Sequence, residues 1–324
     1  MSFEEVDTLI IGGGQAGLAM SAHLRKRGLP HLILERDRIA ESWRSRRWDS
    51  LVANGPAWHD RFPDLEFDDL DPDSFATKNR IVEYMEEFAR QIDAPVQCGV
   101  NVESVSRPAE GSPFQVITSR GKFEAAKIIV ATGPFQKPVI PAIVPDATGV
   151  VQIHSVAYKN PQQLPDGAVL VVGAGSSGAQ IAEELMRAGR KVYLAVGPHN
   201  RPPRRYRGRD FVWWLGALGK WDMRTPAAGT EHVTIAVSGA NGGNTVDFRT
   251  FAENGMTLTG KVIGFDDGRM LFADDLARNI RDGDADYLGV LDEADAYVAQ
   301  RELDFPEEPR ARQIAPDPEC MVNP

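Results

Sequence analysis

The sequence predicts a three-layer α/β protein made of two strand-turn-helix domains of one design, the first carrying a small antiparallel β insertion. Three observations carry that prediction: a glycine set that recurs, a short aliphatic run before each copy, and a segment of helical spacing after it. Gly12, Gly14, Gly17 and Gly28 return as Gly173, Gly175, Gly178 and Gly189, each displaced by 161 residues, the difference between 12 and 173. The runs DTLIIG and AVLVVG read as strands. AGLAMSAHLRKRG and SGAQIAEELMRAG then read as helices that end at Gly28 and Gly189, where a residue without Cβ takes the left-handed cap. HLILE and KVYLAV supply the next strand of each copy.

Chemistry explains this spacing. The first glycine makes the tight turn, the second lets the backbone approach a pyrophosphate, and the third lets helix pack on strand. The phosphates then rest on the helix N-terminus. A single GxGxxG arises often as a plain loop, but two copies in the same context predict two Rossmann-type dinucleotide-binding domains. Expected contacts are Gly12, Gly14, Gln15, Ala16 and Gly17 in the first, and Gly173, Gly175, Ser176, Ser177 and Gly178 in the second.

The two copies differ where the adenosine ribose is read. In the first, the second strand ends at Glu35, followed by Arg36, about twenty residues beyond the glycines, where a carboxylate accepts from both ribose hydroxyls. Glu35 favours FAD or NAD. The same offset from Glu35 lands on Val196, so a 2′-phosphate meets no acid in the second copy. Beyond it lie Arg201, Arg204, Arg205, Arg207 and Arg209, planar donors suited to a phosphate. NADPH is therefore expected there, on Arg201, Arg204 and Arg205. A solvated charged face is the alternative reading of the same run.

The 324 residues exceed the usual size of one core, and the 42% apolar and 25% charged content is that of a folded globular chain. A net charge of -10 argues against general affinity for nucleic acid. No stretch approaches the roughly 18 consecutive apolar residues of a membrane span. The start MSFEEVDTL lacks the apolar core of a secretion signal, and two cysteines, Cys98 and Cys320, form no disulfide framework. A cytoplasmic protein without a metal site is expected.

The first domain is expected over 1–148, with a helix from about Thr77 to Ile92 whose core face is Ile81, Tyr84, Met85, Phe88 and Ile92. VQCGVNVESVS, FQVITS and KFEAAKIIVATG read as the strands of the antiparallel insertion. The last ends in Ala131, Thr132 and Gly133, and Pro138 and Pro141 mark the exit.

Two such motifs joined by an ATG-type crossover resemble the two-dinucleotide flavoproteins. Ile39, Ala40, Glu41, Ser42 and Trp43 occupy the place of the Ile-Gly-Gly-x-Trp of the flavin-containing monooxygenases, with both glycines replaced. With Ala40 and the following WDSL, this form is similar to the plant YUCCA-type branch and its bacterial relatives. ATGPFQKPVIP resembles their ATGxxxxPxxP linker. His154 and Tyr158 match the end of the fingerprint FxGxxxHxxxY, while Thr148 stands where it has Phe and Gly149 lies one residue early. The resemblance runs, with breaks, to about residue 215.

It implies FAD and NADPH as cofactors, and a small-molecule substrate and dioxygen as partners. NADPH would reduce the flavin, dioxygen would add at C4a, and the peroxide would pass one oxygen to substrate; a homodimer is compatible with this family. Further FAD contacts are implied at Trp43, Val102, Ala131, Thr132 and Gly133. Asn54, in LVANGP, matches an asparagine that flavin-containing members place beside the flavin, which makes it the candidate catalytic residue. Asn-Gly-Pro is also turn chemistry in its own right, and both readings stand. For His154, a satisfied linker histidine is the favoured reading.

The second domain is expected over 149–300. RRYRGRDFVWWLGALGKWD reads as a helix packing Phe211, Trp214 and Leu218 into the core, with a substrate tunnel or membrane surface as alternatives. Short strands follow between Val233 and Gly264, then an acidic helical region to about Gln300, then an extended arm over 301–324. The family's return strand to the FAD domain is not found in the sequence, so a short natural form and a truncated form are both expected readings. A disulfide reductase needs a cysteine pair that Cys98 and Cys320 do not supply. An NADPH oxidase and a non-catalytic nucleotide-responsive protein are the remaining alternatives.

Overall fold

The computed structural model describes residues 3–224, 227 and 233–322 and divides into two compact units. The first comprises Met1–Ala53 and Asp60–Val139, the second Asn54–His59 and Ile140–Pro324.

In the first unit, β1 (Glu4–Ile11), α1 (Gln15–Lys26) and β2 (His31–Glu35) form the expected strand-turn-helix-strand. Gly28 closes α1 in the left-handed region, at φ +64°. A short α2 (Glu41–Ser45) and a longer α3 (Lys78–Gln91) follow. Thr77 caps α3 by accepting from the Arg80 amide at 3.2 Å. Its apolar face buries Ile81, Tyr84, Met85 and Phe88, and Phe62 stacks on Phe88 with ring centres 4.0 Å apart.

β3 (Val96–Cys98), β4 (Val102–Ser106), β5 (Phe114–Thr118) and β6 (Gly121–Val130) complete a sheet of order β3-β2-β1-β6-β5-β4. β6 pairs in parallel with β1 and antiparallel with β5. The antiparallel insertion therefore extends the parallel sheet and forms no layer of its own. Leu9, Leu34, Val116, Phe123 and Ala125 are buried together over it.

The second unit repeats the design with β7 (Val169–Val172), α4 (Ser176–Arg187) and β8 (Val192–Ala195), and Gly189 caps α4 at φ +80°. Two-residue strands follow: β9 (His199–Asn200), β10 (Arg205–Tyr206) and β11 (Arg209–Asp210). Then come α5 (Phe211–Ala217), β12 (Thr234–Ile235), α6 (Phe248–Glu253) and β13 (Thr257–Thr259). β13 pairs in parallel with β8, which gives a sheet of order β13-β8-β7. A hairpin of β14 (Val262–Asp266) and β15 (Arg269–Phe272) leads into α7 (Leu276–Gln300).

α5 takes its N-cap from Asp210, which accepts from the Val212 amide at 2.9 Å. Its Trp214 is buried with Tyr206 against Leu291, Ala294 and Val298 of α7, as core packing requires.

The division between units falls between Val139 and Ile140, ahead of 148, and Asn54–His59 group with the second unit. The described residues from 301 on are held on that unit. Leu303 and Phe305 pack on the Trp214 cluster, Arg312 pairs with Asp292 at 2.6 Å and with Asp295 at 2.5 Å, and Asp317 pairs with Arg249 at 2.8 Å. Apolar side chains and ion pairs spaced along the segment hold it down. No helix among the described residues is long and apolar enough to cross a membrane.

Candidate functional site

The first glycine turn is built by close backbone approach. A Cβ at Gly12 would stand 2.4 Å from the Ala131 carbonyl oxygen, and one at Gly17 would stand 2.0 Å from the Gly12 carbonyl oxygen. Neither position admits a side chain. Gly12 also has φ +115°, a conformation other residues rarely adopt. At Gly14, by contrast, no atom lies within 4 Å of a Cβ position, so the N-terminus of α1 is open there. Gln15 and Ala16 are exposed at the same helix end.

Beside this turn the Glu35 carboxylate accepts from the Gly13 amide at 2.6 Å and from the Asp37 amide at 2.9 Å. Two amide donors fix its orientation at the end of β2. An open helix N-terminus next to an oriented carboxylate fits the diphosphate and ribose of a dinucleotide. Arg36 is exposed and donates to Asp37. The Ala131 amide bonds Ile11, while Thr132 and Gly133 continue the exposed end of β6.

Trp43 is half-buried and lines a small pocket with Gln15, Phe62, Ile81, Tyr84 and Met85. Phe62 was not singled out in the sequence because it lies in an irregular loop. It is held there by Tyr84, whose hydroxyl accepts from the Phe62 amide at 2.7 Å and donates to the Leu65 carbonyl at 2.6 Å. Ala40, where the related motif has glycine, is the N-cap of α2 at φ 60°. That left-handed backbone costs a residue with a Cβ roughly 1–2 kcal/mol, which is the physical reason for a glycine at this point. Val102 lies on the outer strand β4, its side chain packed against the sheet core.

In the second unit the turn is equally tight: a Cβ at Gly178 would stand 1.8 Å from the Gly173 carbonyl oxygen. Its open face differs from the first. The Gly175 position corresponds to Gly14, but here the Thr234 side chain lies 3.1 Å from a Cβ position. The adjoining chain is tied to α4: Ser176 Oγ donates to the Ile235 carbonyl at 2.8 Å and accepts from the Val237 amide at 3.2 Å. Ser177 is exposed beside it. The Gly175 face is thus shared with a threonine, where the Gly14 face is open.

Val196 is buried, its amide bonded to Thr259 and its carbonyl accepting from Asn279 of α7 at 2.9 Å. Arg201 and Arg204 do not line an open phosphate site as expected from the sequence. Arg201 is 4% exposed and donates to Asp284 at 2.8 Å and to Asp247 at 3.4 Å. Arg204 is 2% exposed and grips Asp210 through two bonds of 3.0 and 2.9 Å. Buried guanidinium groups need carboxylate partners, and these two have them. Arg205 is exposed and donates to the Gly242 carbonyl at 3.1 Å. Burial pushes the Asp284 carboxyl up, but hydrogen bonds from Arg249 and Arg201 outweigh it and hold its pKa below the usual carboxylate range.

Asn54 is exposed, and its side-chain oxygen accepts from Gln180 Nε2 at 2.9 Å. Its main-chain carbonyl accepts from Arg204 at 2.7 Å. The structure thus brings Asn54 together with α4 and with the Arg204–Asp210 pair. Tyr158 is buried and donates to Glu184 at 2.6 Å; His154 Nδ1 accepts from the Val156 amide at 3.2 Å. Both have local structural partners.

The family model for pyridine nucleotide-disulphide oxidoreductases matches residues 9–215, which contain both glycine turns. The chain belongs to this family. Among curated members it is 42% identical over 217 residues to an uncharacterized CzcO-like oxidoreductase of Geobacillus kaustophilus, covering 66% of this chain and 61% of that protein. It is 34% identical over 192 residues to the probable indole-3-pyruvate monooxygenase YUCCA1 of Arabidopsis thaliana, covering 58% of this chain and 46% of that one. The matched part thus spans less than two thirds of these relatives. Of solved structures, a flavin monooxygenase from Stenotrophomonas maltophilia superposes with a TM-score of 0.63 at 22% identity, covering 84% of this chain and 75% of its own, which shows a shared fold. The resemblance to the flavin-containing monooxygenases and their YUCCA-type branch, read from Trp43 and the ATG linker, holds.

Proposed function

We propose that the chain is an FAD-dependent, NADPH-consuming monooxygenase that places one oxygen atom on nitrogen, sulfur or a carbonyl carbon of a small organic substrate. The observation that carries the assignment is the asymmetry of the two cradles: an oriented carboxylate, Glu35, beside the first and a buried valine, Val196, at the matching point of the second. On this reading the α1 N-terminus at Gly14 holds the FAD diphosphate and Glu35 its ribose. The α4 N-terminus at Gly175, Ser176 and Ser177 holds that of NADPH. Held by the first cradle, FAD would supply the hydride-accepting and oxygen-reacting chemistry. The protein supplies binding and orientation, and Asn54 supplies an amide donor to developing negative charge.

Arg205 is the residue assigned to the 2′-phosphate, because Arg201 and Arg204 are committed to buried carboxylates. Replacing Arg205 by alanine is expected to cut NADPH affinity roughly 10- to 100-fold, the scale of a charged hydrogen bond, and to leave NADH unchanged. Thr234→Gly, which removes the Cβ, Cγ2 and Oγ1 at 3.1–3.5 Å from the Gly175 face, is expected to tighten both coenzymes by one factor. Calorimetric titration of each variant with each coenzyme measures both. An Arg205→Ala protein that keeps its preference for NADPH would move the phosphate away from this loop.

A further inference from the structure

Asn54 is held by a residue that the glycine motif itself delivers. Gln180 lies on α4, two positions beyond Gly178, and its side chain is buried. Its Nε2 faces two oxygens, the Val237 carbonyl at 3.0 Å and Asn54 Oδ1 at 2.9 Å. A main-chain carbonyl only accepts, so the Gln180 atom directed at it must be the donor nitrogen. The atom of Asn54 that meets the same nitrogen must then be its oxygen. Asn54, an exposed residue, is left with Nδ2 as the donor end of its amide. The polarity of the Asn54 amide is thus set by a backbone carbonyl, through one glutamine.

That carbonyl is itself located by α4. Ser176 Oγ donates to the Ile235 carbonyl and so must accept from the Val237 amide, which keys the Ile235–Val237 chain to the helix start. From the other side, Arg204, anchored on Asp210, holds the Asn54 main-chain carbonyl at 2.7 Å. The main chain and the side chain of Asn54 are each fixed by a separate buried group.

We infer that Gln180 is a positioning residue for Asn54, fixing the polarity of its carboxamide so that Nδ2 is the end that donates. The inference rests on the monooxygenase reading for what the donor acts on, but the orientation itself is independent of it. Gln180→Met keeps the volume and removes the donor; Gln180→Glu is isosteric and can donate to neither oxygen at neutral pH.

The test has two readouts. In 15N-labelled protein the Asn54 side-chain amide pair, identified by its loss in Asn54→Asp, is expected to shift to the position of a freely rotating amide in Gln180→Met. An unmoved pair would overturn the inference. In the FAD-loaded protein, hydrogen peroxide released per NADPH oxidised is expected to rise on the order of 10-fold in Asn54→Ala, the scale of one lost transition-state donor or somewhat below it. Gln180→Met should reproduce that rise, and the double variant should add nothing to it. If Asn54→Ala raises peroxide and Gln180→Met does not, Gln180 has no positioning role while the monooxygenase reading stands. If Asn54→Ala changes nothing, the catalytic reading of Asn54 fails, and the amide spectrum alone decides the orientation. Should the methionine variant not fold, Gln180→Glu gives the same comparisons.

Discussion

Gly17→Ala is expected to yield a protein that purifies without flavin. The new Cβ would lie 2.0 Å from the Gly12 carbonyl oxygen, an atom of the backbone that no rotamer change can move aside. Gly12 is in turn wedged against Ala131, where a Cβ would stand 2.4 Å from the carbonyl oxygen. Relief therefore requires α1 to move away from β1, and with it the helix N-terminus proposed to hold the diphosphate. Overpacking of this kind costs about 1–3 kcal/mol in a core that can yield, and more here because both contacts are main chain. Gly14→Ala provides the internal comparison. With nothing within 4 Å of its Cβ position, it should fold as the parent does and weaken flavin by occupying the phosphate approach. Flavin content and thermal midpoint, measured on both variants, separate the two effects. Full flavin retention by Gly17→Ala would show that the turn is not a phosphate cradle.

The largest loss of stability is expected at Asp284, which lies inside α7 and touches no glycine turn. It accepts from Arg201 at 2.8 Å and from Arg249 at 3.0 and 2.7 Å, and both arginines are buried. Asp284→Ala removes the carboxylate that the two guanidinium groups share and leaves Arg201 only Asp247, at 3.4 Å, and Arg249 only the more exposed Asp317, at 2.8 Å. Removing one partner of a buried pair costs about 3–5 kcal/mol, on the order of 10 °C in melting temperature for a chain of this size. The pH dependence follows from the same geometry. Because the native carboxyl has its pKa below the ordinary 3.8, its contribution is complete above that value and is lost as pH falls through the lower native one. Melting of the parent and of Asp284→Ala at neutral pH gives the measurement. An unchanged midpoint would mean that Asp247 and Asp317 satisfy the two arginines without Asp284.

What could be read in the sequence was what local backbone chemistry decides. The two turns, the caps at Gly28 and Gly189 and the buried face of α3 follow from glycine freedom and helical spacing, and each appears where those rules put it. Partners distant along the chain were not legible. Arg201 meets Asp284 across 83 residues and Asn54 meets Gln180 across 126, and no periodicity links such positions. The arginine run looked like a phosphate site because Asp284 and Asp247, which hold Arg201, lie far along the sequence, and no spacing rule marks Asp210 as the partner of Arg204. Thr234 over Gly175 escaped for a related reason: β12 has two residues, too few to show alternation, and its place is set by pairing with β9. The tail read as an extended arm because its anchors, Phe305, Arg312 and Asp317, are single residues spaced along irregular chain.

On the proposed reading one chain carries a flavin that NADPH reduces and oxygen reoxidises. The most direct measurement is the absorption spectrum of the purified protein, followed without oxygen while NADPH or NADH is added, and then as oxygen is admitted. Bound flavin is expected to bleach faster with NADPH than with NADH and to regain its colour through a distinct transient spectrum. A protein that stays colourless after incubation with FAD would contradict the account and leave the two glycine turns without a redox role.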